Sequence, residues 1–207
     1  MTKERVVVPM VGFLVMEKTV KDDGYITAMM VTDNKGYPLE FKATTPVRPS
    51  LVQKTLYGDK LEHYISAELC GKQLVKQSGR KPRIILVPDK KLLDIADTTD
   101  NDIVAIWRSG DKIKVEETSN ESQRGTIKCA SFQPIVYEGR FRADAGKSEA
   151  LTFLQTCSDH FDLVEVFERM RALGVGVNLH YIPVYLQPFY QRLGFTPGQC
   201  PEAEQYA

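Results

Sequence analysis

Several absences frame this chain of 207 residues. Its cysteines form no close pair: Cys70, Cys129, Cys157 and Cys200 stand 59, 28 and 43 residues apart. That excludes the short spacings of a zinc ribbon and the dense framework of a small disulfide scaffold. Free thiols in a reducing cytoplasm are the expectation. There is no run of about 18 apolar residues, so no membrane-spanning helix is expected. There is no net charge, since 27 basic residues balance 27 acidic ones. That balance points to no polyanion, and nucleic acid is not expected as a partner. The three histidines, His63, His160 and His180, are scattered with no HxH or HExxH spacing. A histidine metal site is therefore not expected. The opening MTKERVVVPMVGFLVMEK has an acid ahead of its apolar part and no small-residue cleavage site after it. It reads as a strand, not a signal peptide.

One more absence is local. Lysine stops at Lys147, and the last 60 residues contain none. From Leu151 onward three arginines face six acids, a net charge of −3, which leaves +3 on the first 150 residues. A shift of this kind marks a boundary between units. The expected division is 1–171, an α+β domain with a closing helix, and 172–207, a separate C-terminal segment.

Apolar residues make up 43% of the chain, enough for a sizeable core at this length. Residues 5–18 and 24–32 read as strands. The sequence DNKG at 33–36 is a hairpin turn, because Asn and Gly tolerate the left-handed backbone. Residues 37–45 then alternate Leu39, Phe41 and Ala43 against Glu40, Lys42 and Thr44, the pattern of a half-buried strand. Pro46 and Pro49 stop it, and Ser50 opens a helix running to about Gln77. Val52, Leu56, Leu61, Ile65 and Leu69 form its apolar stripe, and Gly58 divides it. Residues 83–87 read as a buried strand and 88–96 as a short helix or turn. Residues 103–108 and 112–118 read as a hairpin about Gly110–Asp111, and 119–125 as a loop. Short strands follow at 126–130 and 133–138. Residues 147–173 are helical, with a break near Ser158–His160. The fold class is α+β, an antiparallel or mixed sheet packed against one long helix, with a C-terminal helical tail.

Two places in the first half carry candidate chemistry. In TTPVRPSLVQKTLYG, Arg48, Gln53 and Tyr57 gather where a strand ends and a helix begins. A helix N-terminus beside an arginine suits an anion; capping by Ser50, with Tyr57 packed on the sheet, explains the same residues. Glu40 and Lys42 share a strand face, preceded by Asp33. Acid-x-Lys on a hairpin is compatible with a divalent-metal nuclease, where acids hold the ion and a lysine steadies the attacking water. The wet face of an ordinary strand explains it equally. His63 beside Glu62 reads as a surface residue, and His160 as a cap or surface residue. Arg80, Lys81 and Arg83 are too short a cluster, without interleaved aromatics, for a nucleic-acid groove.

The end of the chain carries a denser motif. Gly174–Gly176, His180–Tyr181, Pro183, Leu186–Gln187–Pro188, Tyr190 and Gly194–Phe195 follow one another within residues 166–207. This stretch of 42 residues resembles the C-terminal part of the DegT/DnrJ/EryC1/StrS sugar aminotransferases, of the type serving pseudaminic acid synthesis. The resemblance implies that His180 and Gln187 contact a sugar nucleotide. It also implies a pyridoxal-phosphate lysine in a large partner domain, for which this chain has no room, so no cofactor is expected here. The first 150 residues resemble no family.

The leading expectation is thus a non-catalytic binding or assembly domain of unknown ligand, more a binding module than an enzyme as an isolated chain. The alternatives are an aminotransferase fragment, inactive alone, and a divalent-metal nuclease-like domain. Apolar residues of the tail, Val175, Leu179, Ile182 and Phe189 among them, predict self-association into a homo-oligomer, most simply a homodimer.

Overall fold

Helices cover both faces of a seven-stranded mixed sheet, which is why four of its strands are almost wholly apolar. The computed structural model describes residues 9–19, 24–111, 123–142 and 144–174. Its strands are β1 (Met10–Lys18), β2 (Tyr25–Asp33), β3 (Pro38–Ala43), β4 (Ile84–Val87), β5 (Asp102–Arg108), β6 (Gln123–Ile127) and β7 (Ile135–Arg140). Their order across the sheet is β3-β2-β1-β4-β5-β7-β6. β1, β4 and β5 are mutually parallel, and the strands flanking them run antiparallel. The α+β expectation holds, with a mixed sheet, packed helices and a C-terminal helical region.

The first three strands form the expected meander. Its second turn is set by Asp33, whose Oδ1 accepts from the backbone N–H of Lys35 and of Tyr37 at 2.9 and 3.0 Å. Gly36 sits at φ 82°, and a Cβ there would meet the Phe161 ring at 2.8 Å. Only glycine satisfies both the left-handed backbone and that close approach.

Side-chain alternation divides the core in two. Phe13, Met30, Phe41, Leu86, Val104 and Tyr137 face one way, onto α4 (Asp144–His160) and α5 (Glu165–Gly174). There Leu154, Cys157, Leu163, Val166, Phe167 and Met170 close the layer, with Phe167 edge-on to Phe13 at 5.7 Å. Leu14, Met29, Ile85, Val87, Ala105 and Trp107 face the other way. They meet helical residues 60–77 and the 3₁₀ stretch Lys90–Thr98. Arg108 links the end of β5 to the start of α5, with Asp162 and Glu168 each at 2.9 Å.

The helix expected over 50–77 is divided at Gly58. α1 (Leu51–Tyr57) carries a full capping box, the Ser50 hydroxyl accepting from Gln53 N–H while the Gln53 side chain accepts from Ser50 N–H. It buries none of its residues, so Val52 and Leu56 of the expected stripe lie exposed. Leu61 and Ile65 are buried as the stripe requires. The second piece is α2 (Lys60–His63), a π-helical stretch Tyr64–Gly71 and α3 (Lys72–Gln77).

Other expectations change. Residues 123–125, the end of an expected loop, join 126–127 of an expected strand in edge strand β6. β5 pairs with β4 and β7; its expected hairpin partner, 112–118, lies outside the described residues. So do residues 5–8 of the expected first strand, and His180 and Gln187. Among the described residues no helix is long and apolar enough to cross a membrane.

Candidate functional site

The sheet has one place where successive connections part. β1 leads on to β2 on one side and β4 to β5 on the other, so the chain diverges between the carboxyl ends of β1 and β4. In open sheets with parallel strands, ligands bind in the crevice at such a point. A cavity of about 790 Å³ lies there. Lys18 from the end of β1, Tyr25 from the start of β2, residues 58–63, and Lys90, Lys91, Leu93 and Asp94 beyond β4 line it, with Glu138 of β7.

Register explains the buried carboxylate. Leu14 of β1, Val87 of β4, Ala105 of β5 and Glu138 of β7 form one row across the sheet. Glu138 therefore points into the second core face, where it is only 2% exposed. A charge at that depth needs a partner. Lys90 supplies it at 2.7 Å and lays its ammonium 5.6 Å from the centre of the Trp107 ring. Asp89 sets Lys90 in place by capping the 3₁₀ stretch, its carboxylate accepting from Lys91 N–H at 3.0 Å.

His63 forms the wall. Its Nδ1 lies 3.1 Å from the Lys91 carbonyl oxygen and its Nε2 3.6 Å from Asp94 Oδ2. The Lys91 carbonyl oxygen can only accept, so Nδ1 donates to it, while Nε2 stands beside Asp94 without a hydrogen bond at that distance. Asp94 is held in turn by Arg140 at 3.0 Å, which also grips Asp97. Lys18 lies 3.7 Å from Glu62 and 5.5 Å from the Tyr25 ring centre. Lys60 and Lys91 are exposed at the rim and form no ion pair among the described residues. Beside the rim, Tyr57 stacks on Tyr64 at 4.7 Å. The Tyr57 phenol pushes the Tyr64 hydroxyl above its usual range.

The candidates from sequence fall elsewhere. Arg48 and Gln53 do not line this cavity, and Gln53 is engaged in the α1 cap. Tyr57 adjoins the lining segment without being part of it. Glu40 is held away from any ligand role. Its carboxylate accepts from Gly79 N–H, Arg80 N–H and the Ser78 hydroxyl at 3.0, 2.9 and 2.8 Å, and pairs with Lys42 at 3.1 Å. Burial pushes its pKa up, but these donors outweigh it and bring the value down to about 2. Lys42 donates to the Gln77 carbonyl oxygen. The pair fastens β3 to the end of α3. Among the described residues no three His, Cys, Asp or Glu side chains stand together as a metal cluster. Of the four carboxylates lining the cavity, Glu62, Asp94 and Glu138 each face a cationic side chain, which leaves Asp59 too few partners for such a centre. Sequence reading missed Lys90, Asp94 and Glu138, because their convergence depends on strand order and register.

No protein-family model matches this chain, and no curated protein does. Solved structures do. An endonuclease V from Ciona intestinalis, in complex with DNA containing an inosine, is 11% identical, over 80% of this chain and 86% of its own, with a TM-score of 0.47. The endonuclease V of Bacillus subtilis is 10% identical, over 79% and 84%, with a TM-score of 0.48. An Argonaute of Marinitoga piezophila in complex with guide RNA is 12% identical, over 70% of this chain and 25% of its own, with a TM-score of 0.33.

These findings correct four expectations. The aminotransferase resemblance is overturned: the matches are to endonucleases V, and residues 10–174 already close their own two-sided core. The expectation of a non-catalytic binding or assembly domain, or an inactive aminotransferase fragment, is likewise not upheld by matches that are to endonucleases V. The expectation that the isolated chain is no enzyme is not upheld by these likenesses, which are to endonucleases. The expectation that nucleic acid is no partner is not upheld either, the Ciona endonuclease V being bound to DNA in its own structure. Total charge is a weak measure here, because a zero sum does not report where single lysines such as Lys60 and Lys91 stand.

Proposed function

We propose that this chain is a nuclease-like domain that takes a phosphodiester backbone into the cavity between the carboxyl ends of β1 and β4 and hydrolyses it there. The observation that carries this reading is the convergence at one crevice of the His63–Asp94 pair with the rim lysines Lys60 and Lys91. The lysines attract the phosphate and fix its position. In the hydrolysis a water oxygen bonds to phosphorus and the P–O ester bond breaks. His63 Nε2 takes the proton from the attacking water and returns it to the leaving oxygen, while the Lys91 carbonyl oxygen holds Nδ1–H and so orients the ring. Lys90 and Glu138, paired beneath, hold the floor of the site. Cytoplasmic residence belongs to the same reading, with Cys70, Cys129 and Cys157 as free thiols.

The test is cleavage and binding of end-labelled DNA and RNA by the full chain. His63→Ala should lower the cleavage rate roughly 10²–10⁴-fold while binding persists. The Lys60→Ala, Lys91→Ala double variant should weaken binding to every sequence and reduce the slope of log affinity against log salt by about two. A wild-type chain that binds neither polymer would refute the reading, as would a His63→Ala variant that cleaves at the wild-type rate.

A further inference from the structure

Next to the cavity stands an exposed aromatic pair that the phosphodiester reading leaves unused. Tyr57 ends α1, and Tyr64 follows α2. Their rings stack with centroids 4.7 Å apart and planes 29° from parallel, yet the residues remain 39% and 38% exposed. The residues between them, 58–63, line the cavity itself. The platform and the crevice are thus built on one segment, and a polymer leaving the cavity at Lys60 meets the tyrosines at once. Lys54 lies one turn before Tyr57 on α1, and Glu68 stands near the Tyr64 hydroxyl, so the surroundings carry both signs of charge. The pair itself combines flat apolar area with polar hydroxyl tips. That combination suits a nucleobase carried on a phosphate chain better than an apolar helix.

We propose that Tyr57 and Tyr64 form a stacking platform for an unpaired base, so that the chain takes a single-stranded nucleic acid with its backbone in the cavity and a base on the tyrosines. The inference rests on the phosphodiester reading above and adds the substrate class. Bases in a duplex are stacked on one another and present no face to such a platform, whereas every base of a single strand does. The platform accordingly favours strand state over sequence.

The experiment is fluorescence anisotropy on the full chain with three labelled polymers. They are a single-stranded oligonucleotide of about twelve nucleotides, the same backbone without bases, and the corresponding duplex. The wild-type chain should bind the base-bearing single strand about tenfold more tightly than either of the others. Tyr57→Ala and Tyr64→Ala should abolish that preference and leave affinity for the base-free strand unchanged. Tyr57→Phe, which keeps the ring, should retain it. Since α1 buries none of its residues, Tyr57→Ala leaves the core intact. Equal binding of base-bearing and base-free strands by the wild type, tighter binding of the duplex, or a Tyr57→Ala variant that keeps the preference would each overturn the platform. Failure of the cavity reading looks different. There the Lys60→Ala, Lys91→Ala variant would bind the base-free strand as the wild type does, whatever the tyrosines do.

Discussion

Glu40 sits on the half-exposed face that alternation assigns to it, yet its environment is made by residues nearly forty positions away. Four donors converge on its carboxylate. Because the folded pKa lies near 2 against an ordinary 4.5, the ionised group stabilises the fold fully above about pH 4.5. That contribution is lost as the pH falls from 4.5 towards 2. Glu40→Gln should cost on the order of 2–3 kcal/mol at pH 7 and flatten the acid limb of stability over that window. Urea unfolding at pH 7, 4 and 3 checks this, and an unchanged acid limb would contradict it. The cysteines show the opposite effect of environment. Burial pushes the Cys157 thiol up to about 12, so it behaves as a small apolar residue and stays protonated at neutral pH. Sequence spacing suggested unpaired thiols, and tertiary burial explains why this one is inert.

At the scale of elements, the helical span 60–77 shows how packing overrides local pattern. Its middle, Tyr64–Gly71, widens into a π-helix that brings the Ser66 carbonyl oxygen against Gly71. A Cβ at position 71 would lie 2.5 Å from that oxygen and 2.8 Å from Ile95 Cδ1. Gly71→Ala, which would help an ordinary helix, should here destabilise the chain by about 1–3 kcal/mol. A thermal melt reads the sign directly, and a rise in Tm would show that the span relaxes to regular α-helix. The capping box of α1, by contrast, was legible beforehand, because Ser50 and Gln53 stand at the required spacing. The exposure of Val52 and Leu56 was not, because a 3.6-residue stripe says which residues share a face and not what covers it.

For the molecule as a whole, the decisive feature is strand order. The sheet carries complete cores on both faces within residues 10–174, and α5 supplies the last buried residues, Val166, Phe167 and Met170. We propose that the domain ends near there. A chain truncated after Gly174 should therefore unfold cooperatively with a Tm within a few degrees of the full chain, measured by circular dichroism. A fall beyond about 8 °C, roughly 2–4 kcal/mol in a domain of this size, would make the remaining residues part of the core.

The sequence by itself determined the local elements whose causes are local. The β2–β3 hairpin follows from Asp33 and Gly36, the α1 start from Ser50 and the buried β4 from its apolar run, and the helix break expected near 158–160 falls just after His160. It also determined that both α and β elements would share one sheet-based core. Only the tertiary structure decided that β4 inserts beside β1 in parallel. That insertion creates the divergence of connections where the cavity opens. It also decided that Glu138 would face inward to meet Lys90, and that His63 would reach Asp94 across 31 residues of chain. Pairing between distant strands follows from which faces can be buried together, and no window along the chain contains that information.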